Sequence, residues 1–236
     1  MSEPRRLGPL LFALVLLLGL AAPLAARPTA PEELVGQVQK KYQQLRGLEF
    51  DFAQATRTGG RTRQGSGNAV FYRPGGEGPE GHGVIRWNYT EPTEQTIVND
   101  GRELSVYTPR DRQLLVSPAD EMEADITYAL FTGAQSLLDA FTAAPADPEF
   151  RLSEPPADSE AVLLTPREEQ SQLKRLQLWL APDRTIRRLL LEDHFGALTE
   201  LTFTGVHFDR LAPGDRERAA MLRRLELAPD TEIIRQ

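Results

Sequence analysis

From Gly65 to Val116 the chain reads as a row of short strands joined by tight turns. Ile85, Trp87 and Tyr89 alternate with Arg86 and Asn88, which puts three large apolar side chains on one sheet face. Asp100-Gly101 stands between Thr96-Ile97-Val98 and Leu104-Ser105-Val106 and predicts a hairpin. Upstream the period changes to that of a helix. Leu34, Val35, Val38, Tyr42 and Leu45 form one stripe, Thr29 to Glu32 has the capping-box spacing, Pro31 lies in the first turn, and Gly47 stops the run. This predicts an amphipathic helix covering one end of a sheet. Leu48, Phe50 and Phe52 alternate with Glu49 and Asp51 as a first strand. Arg57 to Gly65, with Arg57, Arg61 and Arg63, reads as a solvated basic turn. The strand that follows ends at Arg73-Pro74, since proline cannot donate to a ladder.

Ser117-Pro118 reads as a helix start. Met122, Ile126, Ala129 and Leu130 share one helical face, Gly133 breaks the run, and Leu137, Leu138 and Phe141 form a second short apolar face before Pro145. Strands resume at Phe150–Leu152, Val162–Leu164, Leu173–Leu180, Ile186–Glu192 and Leu198–Gly205, with turns at Pro182-Asp183 and His194-Phe195-Gly196. Pro213 to Arg218 reads as a loop, and Leu225-Glu226-Leu227 as a last short strand. Two short amphipathic helices inside a run of strands need a sheet face to lie on. The expected fold is mainly β: a twisted antiparallel sheet or open barrel with one helix-covered face.

Composition narrows the function. The 236 residues fit one large domain or two small ones, and a mean hydropathy of -0.38 excludes a polytopic membrane protein. The net charge of -7 argues against nucleic acid and against simple electrostatic docking on anionic lipid. There is no cysteine, hence no disulfide, thiolate metal site or cysteine-linked lipid anchor. Arg5-Arg6, the apolar run Leu10–Leu20 and the alanines up to Ala26 form a secretory signal, so residues 1–26 are expected to be removed and 27–236 to form a single domain. His82, His194 and His207 have no zinc-ligand spacing and read as turn or surface residues. No nucleophile elbow or phosphate loop occurs, so no catalysis, metal or cofactor is expected.

Periodicity alone leaves two questions open. The apolar face with Ile85, Trp87 and Tyr89 is either a packed core or the lining of a cavity. Arg73 is either a strand-end arginine in water or a donor to carbonyls left unpaired at a helix C-terminus.

Taken in order, Arg73-Pro74, Arg86-Trp87, Pro92, Gln95, Ile97-Val98, Asp100-Gly101, Tyr107 and Gln113 resemble the LolA family. These are periplasmic carriers that ferry lipoproteins between the two membranes of Gram-negative bacteria. The resemblance implies an open, unclosed antiparallel β-barrel with an α-helical lid and no enzymatic activity. Acyl chains would enter a cavity lined by Phe50, Phe52, Phe71, Ile85, Trp87, Tyr89, Leu104, Val106, Met122, Ile126, Leu130, Leu137, Leu138, Phe141, Leu178 and Phe203. Arg73 would latch the lid through helix carbonyls, and Ile85 would stand near the cavity mouth. Implied partners are acylated lipoproteins, an inner-membrane ABC exporter and an outer-membrane acceptor lipoprotein. The carrier itself would work in the periplasm as a monomer without cofactor. A periplasmic lipid- or peptide-sensing regulator on the same open barrel is the alternative. One departure stands beside Arg73: Gly75 to Gly83 intervene before the Trp87 strand, where the family passes in a few residues.

Overall fold

The computed structural model describes residues 29–73, 75, 83–118, 127, 130–131, 136–168, 173–210 and 215–236. The elements run α1 (Pro31–Gln44), β1 (Gly47–Thr58), β2 (Arg61–Tyr72), β3 (Val84–Glu91), β4 (Gln95–Asn99), β5 (Glu103–Thr108) and a 3-10 turn (Pro109–Asp111). They continue with β6 (Gln113–Pro118), α2 (Leu137–Ala140), β7 (Phe141–Pro145), β8 (Glu160–Pro166), β9 (Arg175–Leu180), β10 (Ile186–Glu192), β11 (Leu198–Phe208), α3 (Arg216–Arg223) and β12 (Glu232–Arg235). The expected signal segment, together with Met122, Ile126, Gly133 and His82, lies outside the described residues.

One twelve-stranded sheet carries these elements, in the order β12-β6-β5-β4-β3-β2-β1-β11-β10-β9-β8-β7. Every neighbouring pair is antiparallel except β12 and β6, which run parallel. β12 and β7 form its two edges, so the barrel is unclosed, as expected. The inner face carries the main core. Leu34, Val35, Val38 and Tyr42 of α1 bury against it with Leu130, Phe131, Leu137 and Phe141.

Several local expectations change. The capping box does not form: Ala30 is the N-cap without a side-chain bond. The basic turn shrinks to Gly59-Gly60, because β1 and β2 pair residue by residue out to Thr58 and Arg61. Ser117-Pro118 does not open a helix; both residues close β6. Phe141 begins β7 rather than continuing a helix, because it pairs with Pro166 of β8. Phe150–Leu152 is no strand; Phe150 packs with Trp179 and Leu190 on the outer face. Leu225–Leu227 is not a strand either. The C-terminal elements are α3, which covers Tyr72, Val84 and Val98 on the outer face, and β12. These short segments take their conformation from the surface they pack on, which periodicity over three residues cannot specify.

Candidate binding site on the inner face

Small residues on β2 shape the centre of the inner face. Register sets Gly67 between Phe52 and Tyr89, and Ala69 between Phe50 and Trp87. With little or no side chain between them, the large rings of β1 and β3 meet across β2. Phe52 and Tyr89 approach edge-on at 4.8 Å, and Phe50 and Trp87 at 5.4 Å. Gly67 also permits close backbone contact at a bulge: a Cβ there would stand 1.9 Å from the Asn88 carbonyl oxygen. Phe203 on β11 completes the group, 5.0 Å from Phe50.

The helical cover fills this aromatic bowl. The Phe131 ring lies 5.1 Å from Phe50, 5.5 Å from Phe203, 5.9 Å from Tyr42 and 6.3 Å from Trp87. Sequence reasoning missed Phe131, which stands one position past the predicted stripe ending at Leu130. Its signal was its type, a large aromatic inside a helical segment. The predicted residues Phe50, Phe52, Phe71, Ile85, Trp87, Leu130, Leu137, Phe141, Leu178 and Phe203 are all brought together, none more than 6% exposed. Tyr89 and Leu138 are half-buried against them. In this conformation the face is packed.

Leu104 and Val106 stand apart. They lie on the inner face, in rows with Asn99 and Ile97, but toward β6 and the β12 edge, and they are half-buried outside the main core. Ile85 is a correction: at 1% exposure, between Phe71 and Asn99, it is core rather than mouth. Among the described residues no three His, Asp or Glu side chains are grouped to hold a metal ion.

α1 is fixed at several points. The Ile186 amide donates to the Tyr42 hydroxyl at 3.0 Å, and burial pushes that phenol well above its ordinary pKa. Lys41 Nζ donates to Asp183 and to Thr185 Oγ1 in the β9–β10 turn. Asp209 Oδ1 accepts from the Arg46 and Gly47 amides where α1 turns into β1. Gln39 Oε1 accepts from the Leu137 amide at 2.9 Å and ties α1 to α2. Arg73 Nη1 donates to the Gln43 carbonyl at 3.2 Å, in the last turn of α1, where carbonyls lack helical partners.

Toward one end the inner face turns polar. Past Phe52 come Gln54 and Thr56 on β1, and before Leu201 comes Thr199 on β11. Tyr89 donates its hydroxyl proton to Gln54 Oε1 at 2.8 Å, and Thr56 and Thr199 hydroxyls meet at 3.2 Å. The bowl therefore has an apolar floor and one polar end.

Known proteins resemble this chain in sequence or in fold. The chain is 28% identical over 183 residues to an outer-membrane lipoprotein carrier protein of Nitrosospira multiformis, covering 76% of this chain and 80% of that one. It is 26% identical over 182 residues to the protein of that name in Dechloromonas aromatica, covering 76% and 79%. A crystal structure of an uncharacterized conserved protein from Thermus thermophilus superposes with a TM-score of 0.50 at 13% identity, over 87% of this chain and 98% of that one. That likeness concerns the fold. Residues 43–214, nearly three-quarters of the sequence, match the family described as outer membrane lipoprotein carrier protein LolA, and the chain is therefore a member of the LolA family.

Proposed function

We propose that this protein is a periplasmic carrier that receives lipoproteins from an inner-membrane ABC exporter, shields their acyl chains on the inner face, and passes them to an outer-membrane acceptor. The observation that carries this reading is the aromatic bowl of an unclosed sheet, filled by a ring from its own helical cover. An acyl chain replacing Phe131 would exchange one apolar contact for another. Each methylene buried contributes about 0.8 kcal/mol, less the cost of lifting the cover and ordering the chain. The relatives named as lipoprotein carriers support the cargo class. Arg5-Arg6 and the Leu10–Leu20 run support the compartment.

Arg73 is the latch in this reading. Its bond to the Gln43 carbonyl holds the end of α1, the helix that covers the bowl with Phe131. No reaction is catalysed here; energy for loading comes from the exporter. The test is to capture the tagged protein from living cells and examine what accompanies it by mass spectrometry. Thioether-linked diacylglyceryl peptides should be enriched over a control carrying Phe52→Asp in the bowl. Recovery of no acylated protein from an exporting cell would reject the carrier role.

A further inference from the structure

Two neighbouring hairpin tips at the polar end of the molecule share a character that the carrier role does not explain. Arg57 pairs with Leu198, and Leu198 with Glu192, so the β1–β2 tip stands beside the β10–β11 tip. With strands about 4.8 Å apart, the tips are about 10 Å from one another. The first carries Arg57, Arg61 and Arg63, with no carboxylate from Thr56 to Gln64. All three arginines are exposed, and none makes an ion pair among the described residues. The second carries Phe195, which is 92% exposed.

Phe195 is held out by a built turn. Asp193 Oδ1 accepts from the Phe195 and Ala197 amides at 2.9 and 2.8 Å, the Gly196 amide donates to the Asp193 carbonyl, and Gly196 takes a φ of +79° that favours glycine. A ring presented to water beside three arginines that make no ion pair among the described residues, with the Asp193 carboxylate engaged by the amides of its own turn, combines an apolar anchor with phosphate-pairing groups. The net charge of -7 opposes docking by the molecule as a whole, but at physiological salt a charge acts only over about 8 Å, so the local tip decides.

We propose that these two tips form a docking edge for an anionic phospholipid surface. Phe195 enters the interface, and Arg57, Arg61 and Arg63 pair with headgroup phosphates, which the guanidinium fork suits. A lipid surface fits better than a folded protein. A specific protein interface needs about 800 Å² of matched surface on each partner, whereas two convex tips offer knobs without a recess. A deformable, multivalent bilayer needs only the knobs. Each arginine should raise partitioning about fivefold, and the ring about tenfold. On the carrier reading, a docked molecule would turn the polar end of its bowl toward the membrane.

The test is co-sedimentation of the purified protein with vesicles of phosphatidylcholine alone, or containing a minority of phosphatidylglycerol, at low and high salt. Binding should need phosphatidylglycerol and fall with salt. Phe195→Ser should weaken it about tenfold, and the double variant Arg61→Glu, Arg63→Glu should abolish the anionic preference. These side chains are exposed, so the melting temperature should not move. With Phe195→Trp, the introduced indole should be quenched by brominated lipid chains, which lipid held inside the bowl would not do. Quenching with no acylated cargo would sink the carrier reading alone. Absence of anion-dependent sedimentation, unchanged binding by Phe195→Ser, or an unquenched indole overturns the docking edge. So does a photocrosslinker at position 195 that captures an inner-membrane protein while vesicles go unbound.

Discussion

Phe131 occupies the centre of the inner face, where the rings of Phe50, Trp87, Tyr42 and Phe203 surround it. Truncating a buried phenylalanine costs about 3 kcal/mol or more, from lost transfer energy and the cavity left behind. Phe131→Ala should therefore lower the melting temperature. The cavity it leaves is apolar, so the variant should also bind a long-chain acyl competitor more tightly, at one chain per protein. Loss of stability with no gain in saturable acyl binding would show that the ring is ordinary core. On the carrier reading, Arg73 would act on the opening of the cover from outside the bowl. In that reading its charge-assisted bond to Gln43 would contribute about 1–2 kcal/mol to the closed state, since only contacts that differ between states bias them. Arg73→Leu should accept acyl cargo at least as readily as the parent but release it poorly to an acceptor. Arg73→Lys should restore release in part, since one ammonium cannot reproduce the planar fork. Parental loading and parental release by Arg73→Leu would show that Arg73 is not a latch.

At the scale of elements, α1 is clipped to the sheet by the β9–β10 turn. Burial raises the Asp183 carboxyl, but hydrogen bonds from Thr185 and Lys41 outweigh it and bring its pKa down to about 2. A depressed carboxylate stabilises the fold above its ordinary pKa near 4, and that contribution is lost as pH falls toward about 2. The side chain is 65% exposed, so the contribution is small. Asp183→Asn should melt slightly below the parent at pH 7, and the gap should close as the solution is acidified from pH 5 to pH 2. A gap that stays constant across that range would show that the clip works through shape rather than charge.

The whole molecule depends on residues that follow the family-matched span. α3 and β12 lie beyond residue 214. Ala219 and Leu222 of α3 cover Tyr72, Val84 and Val98, and Arg86 donates to the carbonyls of Leu222 and Arg224 at the C-terminal end of the helix. Burial lowers the Arg86 pKa. Tyr72 and Tyr107 hydroxyls accept from the Asp215 and Ala228 amides and fasten the rest of the segment. β12 covers the free edge of β6. Deleting residues 215–236 should cost about 3–5 kcal/mol through newly exposed apolar surface. It should also leave an unpaired strand edge that associates with other copies. Calorimetry and light scattering at increasing concentration read both effects. A truncated chain that melts with the parent and stays monodisperse would make the segment an ornament.

Local order along the chain was legible because its causes are local. Alternation at Ile85, Trp87 and Tyr89 and the stripe from Leu34 to Leu45 determined β3 and α1, and Asp100-Gly101 determined the β4–β5 turn, where Gly101 takes a φ of +84°. The ordered motifs from Arg73 to Gln113 determined the family. An apolar face does not say what will lie on it, because burial is non-directional. Only the tertiary structure decided that Phe131 fills the bowl, that Arg73 meets the end of α1, and that Ile85 is core rather than rim. It alone made strands of Phe141–Pro145 and Glu232–Arg235 and an outer-face plug of Phe150. Those segments are too short to hold a conformation by their own periodicity, and the partners that hold them are distant in sequence.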